Sequence, residues 1–314
     1  MIWKITKDVK IAEMSKIKVN KKEKTKDRIK EIEEKMLKPD FWQNSTEAQN
    51  LIKEMQDLKD DLEGVNKFDK GNVIMTIFAG VGGDDAEDFV RMLLEMYMKF
   101  AQSKNWQINF LDESANTESG YKTITIEIDG KNAYANLKNE SGVHRLVRKS
   151  PFNSAGKRQT SFAMVEVLPV FENQTDRNDF KVPEDELEIS FTKASGPGGQ
   201  NVNKRETAVR IVHNPTKLSA FVSNERSQAQ NREKAMEIIY GKIYNRKQEE
   251  QKAKENAESI SSTTEAKWGS QIRSYVLHPY KMVKDHRTNY ESSDVDSVLN
   301  GRIEEFIQSL KEQS

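Results

Sequence analysis

The spacing of hydrophobic positions changes several times along the chain, and each change predicts a new element. In residues 16–37, Ile29, Ile32 and Met36 recur at helical spacing among Lys and Glu, and Pro39 ends the run. Ala48, Leu51, Met55, Leu58 and Leu62 repeat that period and predict an antiparallel partner helix. Val73 to Ala79 is an apolar run of strand length. It feeds Gly80-Val81-Gly82-Gly83 and then a helix from Asp84, with Phe89, Met92, Leu93, Met96 and Phe100 on one face. Asp84 and Asp85 fall in its first turn, where acids offset the helix dipole. Trp106, Ile108 and Phe110 alternate as one strand and Ile124, Ile126 and Ile128 as another, with Phe162 to Leu168 a third.

Asn173 to Pro183 is polar and acidic and predicts a boundary. Leu187, Ile189 and Phe191 then alternate as a strand running into a glycine-rich tip. Val209 and Ile211 return, Asn214 to Lys217 turn, and Leu218 to Val222 pair back. Residues 227–258 predict one long helix, broken by Ser261-Ser262-Thr263-Thr264. A strand around Ile272 to Val276 follows. The last helix carries Val295, Val298, Leu299, Ile303, Phe306 and Leu310, with Ser293 and Asp296 as a capping-box-like start. The expected fold class is α+β and multidomain. It comprises a helical hairpin arm (1–68), an α/β module (69–180), a separate α+β domain bearing the glycine tip and the long helix (181–262), and a C-terminal module (263–314) that packs back on the second.

Composition narrows the chemistry. Charged residues are 32% and hydrophobic ones 35% of the 314, which suits several small modules with exposed helices. Fifty basic and fifty acidic side chains cancel, so a nucleic-acid surface requires segregated charge. There is no cysteine, which excludes disulfides and thiolate chemistry. The four histidines show no metal-ligand spacing, and neither metal nor cofactor is expected. No apolar run reaches membrane-spanning length and the first residues lack a signal-peptide core, so a cytoplasmic protein without membrane contact is expected.

Two loops carry the candidate chemistry. Ser150-Pro151-Phe152-Asn153-Ser154-Ala155-Gly156 is framed by Arg145, Arg148, Lys149, Lys157 and Arg158. An aromatic among cations suits stacking on single-stranded bases while holding phosphates; a basic hairpin with Phe152 in a core fits the pattern equally well. The other loop is Lys193-Ala194-Ser195-Gly196-Pro197-Gly198-Gly199-Gln200-Asn201-Val202-Asn203-Lys204, followed by Arg205. Its glycines allow close approach to the main chain, and its tip offers an amide but no titratable base. Gly80 to Gly83 lack the lysine of a phosphate loop; they free a helix start to meet a ligand.

Together these motifs resemble the bacterial class I peptide chain release factors. Gly198, Gly199 and Gln200 match the family's catalytic Gly-Gly-Gln. Gly142 to Arg148, Thr160-Ser161-Phe162, Asn224 to Gln228 and Trp268 to Tyr275 match in order, and the likeness spans about Gly71 to Leu310. Ser150-Pro151-Phe152 matches the branch that reads UAA and UGA, whereas the other branch carries Pro-x-Thr and reads UAA and UAG. The resemblance implies a decoding superdomain joined by the C-terminal module, and a factor that hydrolyses peptidyl-tRNA only together with the ribosome.

By resemblance, Ser150, Pro151, Phe152, Gln159, Thr160, Gly82 and Asp85 meet the codon, and Arg145, Arg148, Lys149, Lys157, Arg158, Lys204 and Arg205 meet RNA phosphates. The backbone N–H of Gln200 stabilises the oxyanion, its side chain is N5-methylated, and Trp268 lies in a switch loop. Two positions depart from the family's commoner residues: Gln159 replaces a histidine and Asp85 a glutamate. The implied partners are the ribosome with its 16S and 23S rRNA, the mRNA stop codon, P-site peptidyl-tRNA, a glutamine methyltransferase and a recycling GTPase release factor, acting on a monomer. The other readings are the UAA/UAG branch, a codon-independent rescue hydrolase lacking a decoding module, and a non-catalytic RNA-binding or coiled-coil adaptor.

Overall fold

The computed structural model describes residues 28–36, 48, 51, 52, 55, 58, 67–116, 120–171, 182–193, 206–255 and 271–312. The chain separates into two units, residues 1–69 and 70–314. In the first, helix α1 spans 28–36, and residues 48, 51, 52, 55 and 58 are helical. Ile29, Ile32 and Ala48 are buried, as their spacing predicts.

The second unit is built on an eight-stranded sheet. Its strands are β1 (Val73–Ala79), β2 (Gln107–Asn116), β3 (Gly120–Asp129), β4 (Gly142–Lys149), β5 (Arg158–Pro169), β9 (Gln271–Val276), β10 (Met282–Asp285) and β11 (Glu291–Ser292). Their order is β11-β10-β9-β4-β5-β1-β3-β2. Every pairing is antiparallel except β4 with β9. The first five residues of β1 are all buried, which explains why it reads as a continuous apolar run rather than an alternation. Helix α2 (Asp84–Ser103) packs over β1, β3 and β5. Phe89, Leu93, Met96 and Phe100 form its inward stripe. A short helix α3 (Ala133–Leu137) leads toward β4.

A second sheet, in the order β6 (Leu187–Thr192), β7 (Ala208–His213), β8 (Leu218–Val222), carries helix α4 (Gln228–Glu255). Helix α4 packs on β7 and β8 and also reaches β5. Two short helices, α5 (Val295–Leu299) and α6 (Glu304–Lys311), end the fold.

The expected single C-terminal helix is thus broken. Gly301 adopts φ +94°, and a side chain there would meet the Lys99–Phe100 backbone at 2.7–2.9 Å, so the chain turns tightly past α2. The cap also differs from the expected Ser293 and Asp296: Asp294 accepts from Ser297 N–H at 3.0 Å.

The seam between β4 and β9 is tied by a buried polar cluster. Arg273 donates to both oxygens of Glu140 at 2.6 and 2.7 Å and to Asp285 at 3.1 Å, and all three are 0% exposed. Burial opposes the Glu140 charge, but Arg273 overrides it and holds the carboxyl below its ordinary range. Burial likewise opposes Asp285, yet hydrogen bonds from Arg287 and the charge of Arg273 bring it down to about 2. Burial, then the neighbouring Arg273, lowers His144 to about 4, so the ring is neutral at pH 7. Its Nε2 lies 3.1 Å from Glu140 O.

Candidate codon and catalytic sites

Two loops expected to read a codon, the Ser150–Gly156 loop and the glycine loop before α2, converge with Thr160 at one end of β4 and β5. Strand β4 runs through Lys149 into Ser150, and β5 returns from Arg158. Val147 faces Thr160, Arg148 faces Gln159, and Lys149 faces Arg158 in register. The connecting loop closes itself. Ser150 N–H donates to Lys157 O at 3.2 Å, and Gly156 N–H to Asn153 O at 2.8 Å, with Gly156 at φ +59°. Phe152 N–H donates to Ser150 Oγ at 3.2 Å. That contact uses one lone pair and leaves the hydroxyl able both to donate and to accept.

Phe152 stands 43% exposed, which decides against its being a core residue, whereas Ser150 is only 6% exposed. Pro151, Gln159, Lys149, Lys157 and Arg158 are exposed, and Thr160 and Arg145 are half-buried. Lys149 and Arg158 sit opposite each other on paired strands. Like charges so placed repel, and an anion between them relieves the repulsion.

The glycine loop before α2 is pinned to the same strand. Gly80 N–H donates to Phe162 O at 2.8 Å and Phe162 N–H to Val81 O at 3.0 Å. Gly82 has φ +143°, and a Cβ there would lie 3.0 Å from Ser161 Cβ and Oγ. Only glycine lets this loop lie so close to β5. Helix α2 begins with Gly83 as N-cap and no side-chain cap.

Arg148 differs from the other expected phosphate contacts. Its Nη2 lies 3.1 Å from Asp85 Oδ1 and 2.6 Å from Asp88 Oδ2, and its side chain is 13% exposed. It therefore ties β4 to the first turn of α2 instead of standing free for RNA. Asp88 was not marked by its sequence position; its three-residue offset from Asp85 is the signal that both can meet one cation.

The glycine-rich tip lies outside the described residues, and with it Gly198, Gly199, Gln200, Lys204 and Arg205; so does Trp268. What is described is the stem. Strands β6 and β7 pair antiparallel up to Thr192 opposite Ala208, so the tip connects the open end of this hairpin. Beside it, Asn231 is fully buried and fixes the Asn224–Gln228 segment: it accepts from Glu225 N–H at 3.0 Å and donates to Glu225 O at 2.9 Å and Thr207 O at 2.8 Å.

This small domain rests on the large sheet through mostly polar contacts. Ser223 donates to Asp112 at 2.7 Å and Asn224 to Phe110 O at 2.6 Å. Asn245 donates to Val167 O at 2.9 Å, and Lys234 meets Glu127 at 3.0 Å. Burial works against the Lys234 charge, but Glu237 and Glu127 hold it above its ordinary range. Tyr240 and Tyr244 pack against Phe171 at ring separations of 6.1 and 5.7 Å.

Comparison with known proteins agrees with this architecture. Residues 61–165 match the model of the PCRF domain and residues 175–287 that of the RF-1 domain. Peptide chain release factor 2 of Staphylococcus aureus (strain COL) is 40% identical, over 91% of this chain and 90% of its own length. The protein of the same name from Staphylococcus haemolyticus (strain JCSC1435) is also 40% identical, over 90% and 88%. Among solved structures, RF2 of Thermus thermophilus superposes with a TM-score of 0.67 at 35% identity, covering 93% of this chain and 84% of that one. The chain belongs to the bacterial class I peptide chain release factors, in the release factor 2 branch. None of the described helices is long and apolar enough to cross a membrane.

Proposed function

We propose that this protein ends translation at UAA and UGA codons, in the cytoplasm, by triggering hydrolysis of P-site peptidyl-tRNA on the ribosome. The observation that carries this reading is the convergence of the glycine loop before α2, the Ser150-Pro151-Phe152 loop and Thr160 at one end of β4 and β5. Single-stranded RNA is read by edge hydrogen bonds and stacking, and this end offers both.

In this reading Gly82 and Asp85, at the start of α2, face the first base. Ser150 Oγ meets the second, and a hydroxyl that both donates and accepts tolerates A or G. Docking must uncover it, since it is buried in the free protein. Thr160 and Gln159 face the third base, with Pro151 and Phe152 shaping the loop. Lys149, Lys157, Arg158 and Arg145 face RNA phosphates, as do Lys204 and Arg205 near the catalytic tip.

Gly198 and Gly199 let the glycine-rich tip approach the ester, and Gln200 donates its backbone N–H to the developing oxyanion. Chemistry here is placement of water and charge, because the tip holds no general base. The polar seat of α4 on the sheet releases on the ribosome and the small domain swings toward the ester, with Trp268 in the joining segment as the switch. A glutamine methyltransferase modifies Gln200, and a GTPase release factor recycles the protein, which acts as a monomer.

The test is peptide release in vitro on ribosomes programmed with UAA, UAG, UGA and sense codons. Release on UAA and UGA alone is expected. Release on UAG instead of UGA assigns the other branch, and release on sense codons assigns a rescue hydrolase.

A further inference from the structure

Arg148 is two residues from Ser150, on the strand that delivers the second-base loop. Asp85 and Asp88 lie in the first five residues of α2, the helix whose start is read above as the first-base contact. One guanidinium nitrogen of Arg148 meets both carboxylates, at 3.1 and 2.6 Å. Asp88 is 3% exposed and Asp85 7%, so neither charge is shielded by water, and the Arg148–Asp85 contact joins residues 63 apart in sequence. A second cation, Arg91, donates from Nε to Asp88 at 3.0 Å but stays on the helix and touches nothing on β4. Arg148 is thus the cation that fixes the helix start against the codon strand.

We infer that Arg148 is a positioning residue for first-base selection: it sets the depth and angle at which the Gly82–Asp85 helix start meets the first base of the stop codon. The inference rests on the termination reading above. Selection of uridine at a helix start is a matter of sterics and backbone hydrogen bonds, and a shift of about 1 Å suffices to admit cytidine or to weaken both bases. Without Arg148 the buried Asp85 loses the cation that holds it to β4 and Asp88 keeps only Arg91 on its own helix, so the first turn is free to shift from β4. Lysine does not replace arginine here: it is one bond shorter and lacks the planar fork. Its Nη1 lies 3.5 Å from Met92 Sδ, so both terminal nitrogens of Arg148 engage α2 while its Nε is buried without a partner.

The experiment measures kcat and KM for peptide release by the full chain on UAA, on CAA (first-base mismatch) and on UAC (third-base mismatch). It compares wild type, Arg148→Met, Arg148→Lys and Asp88→Asn. The expected result is a fall of about tenfold in UAA-over-CAA selectivity for Arg148→Met, equivalent to about 1.4 kcal/mol. UAA-over-UAC selectivity should stay within about twofold, by the same arithmetic under about 0.5 kcal/mol. Arg148→Lys should fall between, and Asp88→Asn, which keeps an acceptor, should move the same ratio in the same direction if Arg148→Met proves too unstable to assay. Equal losses on all codons with both ratios unchanged would reduce Arg148 to a scaffold residue and overturn the inference. Failure of the unaltered chain to release on UAA sinks the termination reading itself, and is distinguishable because it precedes any variant.

Discussion

Arg273 sets both terminal guanidinium nitrogens on Glu140, 133 residues earlier in the chain, with neither side chain reached by solvent. The pair closes the seam between β9 and the segment leading into β4. Removing one partner of such a pair strands the other charge in a medium that cannot hydrate it. Glu140→Gln is therefore expected to lower stability by about 3 kcal/mol, read as a shift in the urea midpoint with unchanged slope. A shift below about 1 kcal/mol would mean that water reaches the seam.

Acidification should act on that seam in two separable windows. His144 titrates near 4 when folded, below its ordinary 6.5. Between those values the unfolded chain binds a proton that the folded one refuses, so stability falls as pH drops through that range, by about 3 kcal/mol in total. Asp285 is lowered from 3.8 to about 2, so its contribution is present above the higher value and disappears as pH falls toward the lower. His144→Gln should abolish the slope between pH 6.5 and 4 and leave the more acidic one intact. Chemical denaturation at a series of pH values measures both.

The seat of α4 on β5 is close at one point. A Cβ on Gly241 would lie 3.1 Å from both Leu168 Cβ and Pro169 O. Gly241→Val should pry the helix from the large sheet at a cost of about 1–3 kcal/mol. Amide exchange should accelerate at residues 240–246 while β7 and β8 keep their protection. Unchanged exchange across the seat would show that the interface yields elsewhere.

If the proposed termination role holds, the two kinds of residue at the glycine-rich tip should fail differently. Gly199→Ala adds a methyl group where close approach is required and should reduce release at least a hundredfold with stop-codon binding retained; Gln200→Ala keeps the backbone N–H and should retain partial release. Single-turnover release on UAA ribosomes separates the two, and a near-normal Gly199→Ala rate would remove the steric account.

Much of this was legible in the residues, for identifiable reasons. The inward face of α2 and the order of β6, β7, β8 and α4 follow local periodicity, which a chain displays without reference to distant partners. Phe152 was undecided between core and surface because a basic frame is compatible with either; its 43% exposure resolves that. Strand β4 was missed because Val143, His144, Leu146 and Val147 are all buried, so the polar–apolar alternation that announces a strand is lost. The pairing of β4 with β9 is non-local and leaves no local mark. Arg148 carried the composition of a phosphate ligand, and only the fold brings Asp85 and Asp88 to it.

The insertion of β9 between β10 and β4 has a consequence for biogenesis. Until Gln271–Val276 have been synthesised, the outer rim of β4 offers a row of unsatisfied amides and carbonyls to any passing strand, and Glu140 waits without its counter-ion. The large sheet is thus unfinished until β9 has been made, and copies shortened before Gln271 should clump rather than compete.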